Sequence, residues 1–201
     1  VKLLDSYISS PRRIGRIGGK ASGLLVAYKI IESKKHLYPE LESIVIPKTW
    51  FISADEFRYI LDDNNLDELY EHKYKEIMDI RMQYPRIVQR IKKANLSPYI
   101  INELSNLLEE CKDCPLIIRS SSVLEDQIDT AFSGKYKSLF IANIGTKEER
   151  LHELTDGILE VYASIFNPNV IEYRKERDLL DCDENMGIII QEVVGNRVGK
   201  Y

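Results

Sequence analysis

Residues able to do chemistry are densest between Arg119 and Gly134, where the chain reads Arg-Ser-Ser-Ser-Val-Leu-Glu-Asp-Gln-Ile-Asp-Thr-Ala-Phe-Ser-Gly. A guanidinium is a planar, permanently charged fork that matches phosphate oxygens. Serine hydroxyls and a glycine let the backbone approach an anion closely. The same segment has a plainer reading, in which Arg119 forms a structural ion pair with Glu125 or Asp126. A second candidate lies upstream, at Gly18-Gly19-Lys20. Ala21, Leu24, Leu25, Tyr28 and Ile31 follow it at helical spacing, so the glycines sit at a helix start. Unpaired N–H groups and the helix dipole favour an anion there, and Lys20 adds a mobile charge. The Walker pattern GxxxxGK(S/T) is absent, so a helix start with a solvated lysine is the plain alternative.

The elements that must position these residues follow from local pattern. Pro115-Leu116-Ile117-Ile118 reads as a short buried strand that ends at Arg119. Lys137 to Ala142 reads as a strand after the glycine, placing the loop in a hairpin-like region. Residues 1–16 read as irregular and carry Arg12, Arg13 and Arg16. Ile44-Val45-Ile46 reads as a strand stopped by Pro47, and Trp50-Phe51-Ile52 as a second short apolar run. Ser53-Ala54-Asp55-Glu56 has the form of a capping box opening a helix through Leu61. Residues 66–94 read as helical and broken near Pro85. Ser97 and Pro98 open a helix expected to end near Glu110. Leu151, Leu154, Ile158, Val161, Tyr162 and Ile165 mark an amphipathic helix, which Ile171 to Lys175 extends or follows. Met186 to Val194 reads as a buried strand, with Gln191 near its end.

The bulk properties bound the answer. A chain of 201 residues buries a real core, in one large domain or two small lobes. The balance of 28 basic and 32 acidic residues argues against a general nucleic-acid binder, though not against a local basic pocket. No apolar run reaches membrane-spanning length and no secretory signal opens the chain. Three cysteines, an odd and low count, fit a reducing cytoplasm. Cys111 and Cys114 have CxxC spacing, but one such pair without a second points to structural or incidental thiols and no metal is assigned. His36, His72 and His152 form no ligand pattern. The start at Val1 and the end at Tyr201, directly after a strand-like run, read as those of a fragment of a longer polypeptide.

Taken in order, these segments resemble the N-terminal ATP-binding domain of the pyruvate phosphate dikinase and phosphoenolpyruvate synthase family, a domain type shared with rifampin phosphotransferase and the glucan-water dikinases. Gly18 to Leu24 is similar to the family's GGKxxxL, and Ile46 to Ser53 to its (V/I)PxGFxIxT segment. Arg119 to Gly134 matches RSSxxxED…FxG with the family's spacing. Ala163 to Phe166 with Tyr173-Arg174 looks like its SLF…YR helix, and Ile190 to Val194 like its VQxMV strand.

The resemblance implies an α+β, ATP-grasp-like fold, here the N-terminal portion spanning residues 1–201. It implies that Lys20 and Arg119 bind ATP phosphates, with Arg119 the catalytic candidate. Gly134 would sit in the phosphate-covering loop and Ser138 where relatives often carry a threonine near the phosphates. Gln191 and the backbone of Glu192 to Val194 would edge the adenine. Magnesium ligands are expected beyond Tyr201, with the phosphohistidine and acceptor domains. The implied activity is ATP-dependent phosphoryl transfer to a histidine on another domain and then to an acceptor such as pyruvate, the fragment alone being inactive. The alternative is a nucleotide-sensing or interaction module. Lys135 and Tyr136 replace the family's Gln-Gln, and Lys137 a usual acidic residue. The added lysines either strengthen phosphate contact or mark an altered substrate.

Overall fold

The computed structural model describes residues 7–8, 17–112, 114–126, 134–182 and 186–195. Arg12, Arg13 and Arg16, the loop 127–133 and the end 196–201 lie outside the described residues, as does the side chain of Asp126. Five strands form one sheet: β1 (Tyr7–Ile8), β2 (Thr49–Ile52), β3 (Leu116–Ser122), β4 (Ser138–Ile141) and β5 (Met186–Glu192). Their order across the sheet is β1-β2-β5-β3-β4. The pairs β2–β5, β5–β3 and β3–β4 are antiparallel, and β1 runs parallel to β2. The helices are α1 (Gly18–Lys34), α2 (Asp55–Asp63), α3 (Ile77–Lys92), α4 (Pro98–Glu110), α5 (Lys147–Ala163) and α6 (Pro168–Lys175). The class is therefore α+β, with a small, mainly antiparallel sheet. Among the described residues no helix is long and apolar enough to cross a membrane.

Side-chain alternation divides the sheet into two unlike faces. On one, Trp50, Ile52, Leu116, Ile118, Ile141, Met186, Ile188 and Ile190 join the main core. Helices α2, α3, α4, α5 and α6 pack against it, through residues such as Phe57, Ile60, Ile91, Leu104, Leu154, Ile158 and Val170. Helix α5 packs closely because Gly157 faces β3; a Cβ there would lie 2.6 Å from Ile118 Cδ1. On the other face, Phe51 and Ile189 pack with Ala21, Ile17, Leu24 and Leu25 under α1. The part of that face over β3 and β4 holds the candidate site.

Local reading places the later elements well. Helix α4 runs from Pro98 to Glu110, and the Ser97 hydroxyl accepts from Ile100 N–H at 3.4 Å. Strands β4 and β5 and helix α5 lie where the pattern puts them. Four expectations change. Ile44-Val45-Ile46 is not a strand, and Val45 is 84% exposed; the strand is Thr49–Ile52, whose four residues are all buried between packed faces. Pro85 lies inside α3 without ending it, because Ile80, Ile87 and Ile91 hold the helix's apolar face in the core. The capping box at Ser53 does not form: Ala54 occupies the cap, and the Glu56 carboxylate instead accepts from Ser97 N–H at 2.7 Å and Oγ–H at 2.9 Å. Tyr7 and Ile8, within the stretch read as irregular, pair with Phe51 and Ile52.

Candidate functional site

Strand β3 does not end at Arg119 but continues through the serines to Ser122. This places Ile117, Arg119 and Ser121 on the face away from the main core, with Ser120 and Ser122 on the other. The register sets Arg119 opposite Ser138 of β4 and Ile189 of β5. One pleat along, Ile117 stands opposite Phe140 and Gln191. The face thus presents two adjacent rows, one carrying a guanidinium and a hydroxyl, the next carrying apolar side chains and a carboxamide. Two residues along a strand separate them by roughly 6–7 Å. Phe140 is 70% exposed, Ser138 is exposed, and Ile117, Arg119 and Gln191 are half-buried.

The serines serve the scaffold around this face. Ser121 Oγ–H donates to Ile17 O at 2.7 Å, and its oxygen accepts from Ala21 N–H at 3.0 Å. It therefore caps α1 from another element, since Ile17 at the N-cap has no capping side chain. Gly18 has φ +75°, and a Cβ there would sit 1.9 Å from Ser121 O. Glycine is required at this contact by both space and dihedral. The start of α1, with its partial positive charge, is consequently held against the end of β3 beside Arg119's row.

Glu125 is the partner that linear reading did not assign to Lys20. The buried Glu125 carboxylate takes the Lys20 ammonium at 2.5 Å, Ser120 Oγ–H at 3.1 Å and Ser122 N–H at 3.2 Å. Burial pushes its pKa up, against the opposing pull of Lys20, Ser122 and Ser120. Lys20 is thus held beside the start of α1 rather than solvated. Among the described residues Arg119 makes no ion pair, and its suggested partner Glu125 is engaged elsewhere. Glu125 is instead held by Lys20, Ser120 and Ser122.

The remaining candidates are spread along the same face and its rims. Gly134 has φ +79° in the exposed turn before β4, and a Cβ placed there would meet open space. The Gln191 carboxamide donates to Thr49 Oγ1 at 2.9 Å. Glu192 N–H donates to Lys48 O and Val193 N–H to Pro115 O, so these two donors serve the sheet. Val194, past the strand end, is 73% exposed. Lys135 lies over the Tyr173 ring at 4.6 Å, and Lys137 pairs with Glu160 at 2.8 Å. Both lysines therefore have partners in the helical layer.

The donor set suits an elongated anion with an apolar end. Cations and a helix N-terminus gather at one end of the face, and an apolar shelf lies at the other. Magnesium is not served in the same way. At the phosphate end of the face the Glu125 carboxylate already holds Lys20, Ser120 and Ser122. A separate pocket, lined by residues including Phe57, Arg58, Tyr70, Lys73, Ile171 and Arg174, lies among the helices and does not include this face.

Comparison with known proteins identifies the family. Residues 14–199 match the model of the pyruvate phosphate dikinase AMP/ATP-binding domain. The chain belongs to this family. It is also 24% identical over 171 residues to an uncharacterized phosphotransferase, YvkC, of Bacillus subtilis strain 168. That alignment covers 84% of this chain and 17% of the relative. Within this dikinase-type domain, two motif segments away from the open face have structural partners. Ser164 Oγ–H donates to Val161 O at 2.6 Å and accepts from Lys137 N–H at 3.2 Å. Arg174, 1% exposed, donates to the carbonyls of Leu179, Leu180 and Cys182, fixing the chain after α6.

Proposed function

We propose that the open face of β3, β4 and β5 is one wall of an ATP-grasp-type cleft in a dikinase-type phosphotransferase. The observation that carries this is the pair of rows on that face, Ser138–Arg119 beside Phe140–Ile117–Gln191, next to the start of α1. Arg119 receives the phosphates as a fork, Ser138 donates a hydroxyl beside it, and Lys20 shares its charge between Glu125 and the nucleotide. The turn at Gly134 covers the phosphates, since its backbone is free of a Cβ there. The adenine lies toward Ile117 and Phe140, with its edge at Gln191 and the backbone leading from Glu192 to Val194.

Phosphoryl transfer depends mostly on positioning and charge neutralisation. This wall supplies both for the triphosphate, and the second wall, with the magnesium ligands, comes from outside these residues. ATP delivers its phosphoryl group to a histidine on another domain, which passes it to an acceptor. The phosphotransferase relative, of which this chain spans 17%, supports the enzymatic reading over a sensing module. The low, odd cysteine count supports a cytoplasmic setting.

The test is ATP affinity by calorimetry. Removing one charge-assisted contact with Arg119→Ala should weaken binding by about tenfold to hundredfold. Unchanged affinity in a folded variant would sink the assignment.

A further inference from the structure

The fold brings Cys111 and Cys114 together with a third donor that lies far away in sequence. Their sulfurs and a Glu192 carboxylate oxygen all lie within 4.8 Å of one another. We propose that Cys111, Cys114 and Glu192 form a binding site for a thiophilic divalent cation of the zinc class, at the junction of α4 and β5. Two thiolates and a carboxylate are a zinc donor set, with the fourth tetrahedral position left to water. Metal–sulfur bonds of about 2.3 Å put tetrahedral donors roughly 3.5–4 Å apart, so small side-chain movements close the site.

The backbone carrying the thiols is already held in place. Asn143, 1% exposed, donates through Nδ2 to Cys111 O at 2.8 Å and to Cys114 O at 2.9 Å. Arg150 donates to Cys111 O at 3.1 Å and, through Nε, to Asn143 Oδ1 at 2.8 Å. One buried carboxamide thus clamps both ends of the CxxC turn, and a guanidinium clamps the carboxamide. Such outer partners orient metal ligands and hold a chelate in shape. The charge also balances: two thiolates, one carboxylate and a dication leave one negative charge. Lys48 Nζ lies 4.0 Å from Glu192 Oε1, more than half exposed and able to neutralise it. Cys114 and Glu192 are half-buried, which leaves a solvent side for metal entry and the water ligand.

Position gives the site a purpose. The bound cation would tie the C-terminal end of α4 to β5 beside Gln191, and so brace one rim of the open face. This holds whether or not that face binds ATP.

The experiment uses tag-free, reduced protein under anaerobic conditions. Cobalt titration should show thiolate-to-metal charge-transfer absorption that saturates at one equivalent and is bleached by zinc. Cys114→Ser and Glu192→Gln should each weaken zinc binding at least about tenfold in competition with a chromophoric chelator. Zinc should also protect both thiols of the native chain from alkylation, a readout that needs no variant. Absence of charge transfer, equal zinc affinity in Cys114→Ser, or unprotected thiols at saturating zinc would each overturn the proposal. So would protein that closes a Cys111–Cys114 disulfide when exposed to air but, kept reduced, takes up no metal.

Discussion

At the residue scale, two glycines with similar dihedrals are under different constraints. Gly18 and Gly134 both have positive φ, but only Gly18 faces a neighbouring carbonyl at 1.9 Å from a Cβ position. Gly18→Ala should therefore cost about 3 kcal/mol or more, from strain and displacement of β3 against α1. Gly134→Ala should cost only about 1–2 kcal/mol, the left-handed penalty alone. Urea unfolding of both variants checks the contrast. The lysines that depart from the family pattern also separate by partner. Lys135 and Lys137 are held by Tyr173 and Glu160, so replacing them with alanine should leave ATP affinity within about twofold, whereas a direct phosphate contact would cost far more. Calorimetry on the double variant measures this.

At the element scale, the start of α1 depends on a side chain a hundred residues away. Ser121 bonds both Ile17 O and Ala21 N–H, replacing the cap that Ile17 cannot provide. Ser121→Ala should lower stability by about 1 kcal/mol, as other cap losses do. Faster amide exchange confined to the first turn of α1 is the expected signature. The pattern of this element was readable: helical spacing after two glycines located α1, and the serine run was visible beside Arg119. What was not readable was that the serines continue the strand. Small polar residues look like a loop until they are seen with β5 paired along their whole length, from Leu116 to Ser122.

At the scale of the whole molecule, charge links the helical layer. Glu160 of α5 receives Lys137 from the turn before β4 and Lys92 from α3. The Lys137 hydrogen bond, joined by Lys92 and opposed by burial, holds the Glu160 pKa below the usual carboxylate value of 4.5. A carboxylate with a lowered folded pKa stabilises the fold above its unfolded pKa and loses that contribution as pH falls through the folded one. The stability difference between wild type and Glu160→Gln should thus be full near neutrality and shrink below about pH 4.5. Urea midpoints of both proteins across that range give the measurement. High salt should reduce the difference as well, because the side chains are partly exposed.

Most of the elements, the family and the identities of the candidate residues are written in the linear chain. Those features depend on contacts within a few residues: helical spacing, a serine and proline at the start of α4, alternation in β5, and motifs whose order the chain preserves. Folding in three dimensions settles on which face of β3 Arg119 stands, that Lys20 meets Glu125, and that Glu192 reaches Cys111 and Cys114. Each of these joins residues about eighty or more positions apart, or turns on a strand register in which one step exchanges the two faces. Register is set by packing the whole sheet against its helices, and no local stretch of the chain carries that information.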